Sequence, residues 1–107
     1  MPTKPSSHSF KGQLWKYDGP AGWCFVTLPK SLSQKIRKNH HSSEEGWGRL
    51  KVLITIGNSS WKTAIWFDTK HEAYLLPIKQ VIRQKEKIAI GEFVSGKFEI
   101  ETDRFQI

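Results

Sequence analysis

Trp47-Gly48-Arg49-Leu50-Lys51-Val52-Leu53-Ile54-Thr55-Ile56, followed by Gly57-Asn58-Ser59-Ser60 and Trp61-Lys62-Thr63-Ala64-Ile65-Trp66-Phe67, is the stretch that decides the fold. Leu50, Val52, Ile54 and Ile56 take every second position, with Arg49, Lys51, Leu53 and Thr55 between them. Successive side chains of a strand point to opposite faces, so the alternation predicts a strand over 47–56 with one face on a core. The Gly-Asn-Ser-Ser run has turn composition, and Trp61 to Phe67, rich in aromatic and β-branched residues, reads as the next strand.

Working outward, the same period recurs. Phe10, Gly12 and Leu14 share one face of a strand over 9–17, and Lys11, Gln13 and Trp15 the other. Asp18-Gly19-Pro20-Ala21-Gly22 is a turn, and Trp23 to Leu28 a second strand hairpinned to the first. At Pro29 the period changes: Leu32 and Ile36, four apart, predict a short helix ending near Asn39, with Gln34, Lys35 and Lys38 outward. His40 to Gly46 is a polar loop. Beyond Phe67, residues 68–72 connect to a short strand, Ala73 to Leu76. Ile78, Val81 and Ile82 then predict a second basic helix from Pro77 to about Lys85. A last strand runs from Glu92 to Thr102, with Val94, Gly96, Phe98 and Ile100 inward; Gly96 in its middle suggests a bulge or a barrel corner. Val26-Thr27-Leu28-Pro29 and Tyr74-Leu75-Leu76-Pro77, 48 residues apart, form an internal echo. Six short strands and two short helices predict a mainly β fold, a small closed or split β-barrel, with residues 1–8 a flexible lead-in and 9–107 one domain.

The 107 residues are too few for two independent cores. The lone Cys24 excludes an internal disulfide framework. Without an apolar leader or a membrane-length apolar run, the expectation is a cytoplasmic protein that makes no use of a membrane. The net charge is +7, concentrated in two places. Residues 1–43 hold seven Lys/Arg against Asp18 alone, and residues 79–87 hold Lys79, Arg83, Lys85 and Lys87 against Glu86. Residues 92–104 are mildly acidic. A basic surface favours polyanionic partners or serves solubility alone.

Gly46-Trp47-Gly48-Arg49-Leu50-Lys51-Val52, Ile56-Gly57, Trp61-Lys62-Thr63, Leu76-Pro77-Ile78-Lys79, Val81-Ile82-Arg83 and Ile88-Ala89-Ile90-Gly91-Glu92 follow Trp23-x-Phe25-Val26-x-Leu28-Pro29 in order. Over about residues 10–101 this series resembles the prokaryotic family called domain of unknown function 1905. The resemblance implies a small β-barrel and no established activity. The family pattern commonly has Asp where Glu92 stands and Ser where Ala64 stands, so it lends no support to roles needing those groups here. Some relatives carry a further domain linked by name to bacteriocin protection; these residues are expected to hold the barrel alone. Within this series, Pro77 through Arg83 to Ile88, Gly91, Glu92 and Val94 is also similar to the swapped-hairpin transcription regulators and antitoxins, which build one barrel from two chains and bind DNA. That second likeness implies a comparable barrel made from two halves of one chain.

The chemistry-bearing residues form no convincing catalytic set. Cys24 lacks a neighbouring base in sequence and reads as a core thiol. His8, His40, His41 and His71 do not have zinc-ligand spacing. Asp68 and Glu72 bracket a turn, and Glu44-Glu45 sits in a loop. Gly57 to Ser60 lacks the spacing of a phosphate loop and reads as a hairpin connection. No catalytic, cofactor-binding or metal-ligating residue is assigned, and no cofactor is expected. The best candidate is composite: Arg49 and Lys51 on one strand face, Trp47 and Trp61 near its ends, Lys62 following, and Lys79 and Arg83 four apart on a helix. Cations interleaved with exposed aromatics suit single-stranded nucleic acid, whose bases stack and whose phosphates pair. The leading expectation is therefore a non-enzymatic, monomeric binding module for nucleic acid or another polyanion. The alternatives are a barrel mouth that takes a small molecule, with weak hydrolytic or isomerising activity, and an accessory domain acting through protein partners. Exposure of Trp47 or Trp61 beside Arg49 and Lys62 favours the first; an inward pocket of converging polar groups favours the second.

Overall fold

In the computed structural model, which describes residues 7–19, 22–40 and 48–101, six antiparallel strands close into a barrel in the order β1-β2-β5-β4-β3-β6. The elements are β1 (Ser7–Lys16), β2 (Cys24–Thr27), α1 (Lys30–His40), β3 (Arg49–Ile56), β4 (Ser59–Asp68), β5 (Ala73–Pro77), α2 (Gln80–Lys85) and β6 (Phe93–Ile100). The predicted alternation of the first, third and last strands gives the inner face, where Phe10, Leu14, Leu50, Val52, Ile54, Ile56, Val94, Phe98 and Ile100 are buried, and Val26 and Ile65 of the other strands join them. Closure leaves the sheet without a free edge, which a small all-β domain otherwise has to protect. Trp47, His41, Glu44, Glu45 and residues 1–6 lie outside the described residues, as do parts of the predicted 18–22 turn and 40–46 loop.

β1 begins at Ser7, two residues before the predicted start, paired with Glu99 of β6. That pairing runs unbroken from Ser7↔Glu99 to Gln13↔Phe93, so Gly96 is not a bulge. It marks a close approach of backbones: a Cβ at Gly96 would stand 2.5 Å from the Thr55 carbonyl oxygen. α2 starts at Gln80, later than the apolar spacing predicts. Ile78 is still extended and donates its N–H to Cys24 O at 3.0 Å, continuing the sheet, and Val81 is 57% exposed, not part of an apolar face. α1 docks on β5 through Ser33, whose buried Oγ accepts the Tyr74 N–H at 3.0 Å.

The barrel is two β-β-α-β halves of one chain. Exchanging β1 with β4, β2 with β5 and β3 with β6 maps the strand order onto itself. Val26 faces Leu76 at the junction of the halves, flanked by Leu28 N–H to Tyr74 O and Ile78 N–H to Cys24 O. This makes Leu28 the counterpart of Ile78 and Pro29 the counterpart of Lys79. The two Leu-Pro pairs of the sequence echo are therefore not equivalent, and the true correspondence is two residues longer. The hairpins agree: Trp15↔Phe25 and Lys16↔Cys24 correspond to Trp66↔Leu75 and Phe67↔Tyr74. This superposes Phe10-Lys11-x-x-Leu14-Trp15 on Trp61-Lys62-x-x-Ile65-Trp66.

Candidate nucleic-acid interface

The composite site splits in two, because parity and topology separate its members. Residues directly opposite across an antiparallel pair share a face. Trp61 stands opposite Ile54 and turns inward with it, leaving 9% of its surface exposed. Lys62, opposite Leu53, turns outward. Arg49, Lys51 and Lys62 line one shallow depression on the outer face of β3 and β4, shared with Glu101. Lys62 Nζ lies 3.6 Å from the Glu101 carboxylate, and the Arg49 guanidinium sits 5.5 Å from the Trp66 ring centroid. Trp61, Lys79 and Arg83 meet elsewhere, in a cleft of about 410 Å³ between β2, β4 and α2. The expected exposure of Trp61 beside Lys62 is thus corrected, and Trp47 is outside the described residues.

The exposed aromatics are different ones. Trp15 of β1 and Tyr17 just after it, with Phe25 of β2 and Trp23 just before it, gather on the outer face of the β1–β2 hairpin. Phe25 is the hub: its ring centroid is 5.4 Å from that of Trp15, 6.4 Å from Tyr17 edge-on, and 6.1 Å from Trp23, nearly parallel to it. The Trp15 indole is fixed by its Nε1–H donating to Thr27 Oγ1 at 2.9 Å. Trp23 and Tyr17 leave more than half of their surface to solvent. The outer face continues through Thr27, opposite Leu75, then Leu75, opposite Trp66, and Trp66, opposite Arg49. A band of outward rings and apolar groups therefore crosses five adjacent strands, β1 to β3 through β2, β5 and β4, and ends on a cation. The signal for it is in the sequence: Trp15 and Tyr17 have the parity of Lys11 and Gln13, and Trp23 and Phe25 have the parity opposite to Cys24 and Val26.

The remaining candidates take structural places. Cys24 is buried, with Sγ 3.9 Å from Gly22 O. His71 Nδ1 donates to the Asp68 carboxylate at 2.7 Å, which lowers the Asp68 pKa from its ordinary value, and Glu72 pairs with Lys30 at 3.5 Å. Ser59 opens β4, so the turn is Gly57-Asn58 alone, and Ser59 Oγ donates to the Glu86 carboxylate at 2.5 Å. A side chain on Gly57 would collide with that carboxylate, so the loop already holds an anion of its own chain. Glu92 accepts the Ala89 N–H at 2.9 Å, closing a turn. Among the described residues no three His, Cys, Asp or Glu side chains come together as metal ligands, and no helix is long and apolar enough to cross a membrane.

Comparison with protein families matches residues 10–96 to the family described as Domain of unknown function (DUF1905). The chain belongs to this family. The DUF1905 match begins and ends on a register pair, Phe10 opposite Gly96, and takes in both hairpins, the outer aromatic band and the cleft. No match was found among curated proteins.

Proposed function

We propose that this DUF1905 barrel binds single-stranded nucleic acid across the outer face of its β1–β2 hairpin, acting as a monomer in the cytoplasm. The observation that carries the reading is the ring cluster of Trp15, Tyr17, Trp23 and Phe25, ordered by one part-buried hydrogen bond, with Tyr17 and Trp23 still half open to solvent. Large aromatic side chains left outward on a small barrel forgo core burial, and planar bases are partners that recover it by stacking. The net charge of +7 and the cations at the margins of the band supply the phosphate attraction. Arg49 over Trp66 adds a guanidinium-aromatic step at the far end of the band.

The test is a titration of labelled single-stranded and duplex oligonucleotides at low and physiological salt, followed by tryptophan quenching. Saturable binding of the single strand near physiological salt, with quenching, is expected. Tyr17→Ala and Trp66→Ala should each weaken it by roughly fivefold to a hundredfold, since one stacked base contributes about 1–3 kcal/mol. Equal affinity for duplex, or binding that disappears with salt and leaves tryptophan emission unchanged, rejects the reading and leaves the charge as a solubility feature.

A further inference from the structure

The twofold relation between the halves predicts two equivalent seams, and only one is closed. In the first half the β1–β2 ladder extends past Trp15↔Phe25 to Leu14↔Val26. Gly12 lies against β2 beyond it: a Cβ there would stand 2.6 Å from Val26 Cγ1 and 3.0 Å from Thr27 O. In the second half the β4–β5 ladder stops at Trp66↔Leu75. The counterparts of Gly12 and Thr27 are Thr63 and Pro77, and both line the cleft of about 410 Å³. The open seam thus has a threonine where the closed one has a glycine, and a proline, which has no N–H to extend the ladder, where the closed one has Thr27.

The lining of the opened seam has a defined chemistry. Trp61 and Trp23 contribute aromatic surface, Thr63 and Gln80 neutral polar groups, and Lys79 and Arg83 positive charge. Among the described residues no carboxylate and no histidine lines it. Arg83 Nε–H donates to Ile78 O at 3.1 Å, which fixes the guanidinium plane while its terminal nitrogens make no other bond among the described residues. A fixed guanidinium fork suits the two oxygens of a phosphate. The volume lies in the range of small-molecule sites, roughly 300–1,000 Å³.

We propose that this cleft is a binding site for a nucleoside monophosphate, the base against the tryptophans and the phosphate on Arg83 and Lys79. It is a site distinct from the hairpin face, with which it shares only Trp23, and it stands whether or not that face binds a strand. The same group occurs as a free nucleotide and as the 5′-phosphorylated end of a strand.

The experiment titrates adenosine 5′-monophosphate, adenosine and inorganic phosphate into the full chain, by calorimetry and tryptophan emission. The monophosphate should bind with quenching, at least about tenfold more tightly than either fragment. Arg83→Gln should weaken it by about tenfold to a hundredfold, the loss of a charge-assisted pair. Lys79→Gln, whose side chain makes no bond among the described residues, should weaken it by a smaller factor with an unchanged melting temperature. Tyr17→Ala, outside the cleft, should leave it unchanged, so failure here is separable from failure of the hairpin face. A 5′-phosphorylated oligonucleotide preferred about tenfold over its 5′-hydroxyl form assigns the site to strand ends; no such preference, with tight monophosphate binding, assigns it to the free nucleotide. Monophosphate binding no tighter than phosphate alone, or undiminished in both Arg83→Gln and Lys79→Gln, overturns the proposal.

Discussion

Gly96→Ala tests the barrel closure on which both surfaces depend. The added Cβ would meet Thr55 O at 2.5 Å, Ile56 Cγ1 at 2.9 Å and Phe10 Cε1 at 3.1 Å. An ordinary carbon–oxygen contact is roughly 3.3 Å, so β6 and β3 must separate by about 0.8 Å at this point. The nearest atom is backbone, fixed beside the Thr55↔Lys97 pair of the β3–β6 ladder, and cannot rotate away as a side chain would. Overpacking of this kind costs about 1–3 kcal/mol, and a backbone clash belongs at the upper end. The alanine returns about 0.4–1 kcal/mol by restricting the unfolded chain. The net expectation is a destabilisation of about 2 kcal/mol, which in a domain of this size lowers the melting temperature by roughly 8–16 °C. Circular dichroism melts of the two proteins, with urea unfolding to give the free energy directly, measure it. A variant that melts within about 2 °C of the parent would refute the close approach at Gly96 and, with it, the tight β3–β6 closure.

Trp61→Ala should cost about 3–5 kcal/mol, because the ring fills the core opposite Ile54, whereas Trp23→Ala should stay within about 0.5 kcal/mol while removing part of the quenching signal; urea midpoints of both variants compare them. Ser59→Ala removes the bond to Glu86 that ties α2 to the β3–β4 turn and should lower unfolding free energy by about 1–2 kcal/mol, read from the same denaturation curves. Asp68 has its pKa lowered chiefly by the His71 hydrogen bond, so its contribution is complete above the ordinary value of 3.8 and is lost as the pH falls below it. Asp68→Asn should therefore narrow the stability difference between pH 6 and pH 2 by about 0.5–1 kcal/mol, and parallel pH-stability curves for the two proteins would reject that assignment. Lys62→Ala should weaken polyanion binding, by salt-dependent titration, with little change in melting temperature, since among the described residues Lys62 holds only an exposed pair with Glu101; adding Arg83→Ala also removes the bond to Ile78 O and should lower the melting temperature.

The sequence by itself determined the strands, the inner and outer faces of β1, β3 and β6, and the class of fold. The reason is local: a period of two over β1, β3 and β6 commits Leu14, Leu50, Val52, Ile54, Val94, Phe98 and Ile100 to one side, and burial in a single small core selects that side. The same parity put Trp15 outward. Where aromatic residues stand at both parities, as Trp61 and Trp66 do in β4, periodicity alone ranks neither, and Trp61 proved to be the core residue. Helix α2 was misjudged at its start because Ile78 obeys helical spacing while its N–H is taken by the neighbouring strand β2, a contact with Cys24 that no local pattern contains. The site depended on the same kind of information. Arg49 and Lys62 share a face because β3 and β4 are neighbours in sequence. Lys79 and Arg83 meet Trp61 only because β2 and β5 pair across the twofold axis, leaving a seam beside them lined by Thr63 and Pro77. Parity is written every two residues along a chain; the pairing of strands some fifty residues apart is chosen by the closure of the whole barrel, and only the tertiary structure decided it.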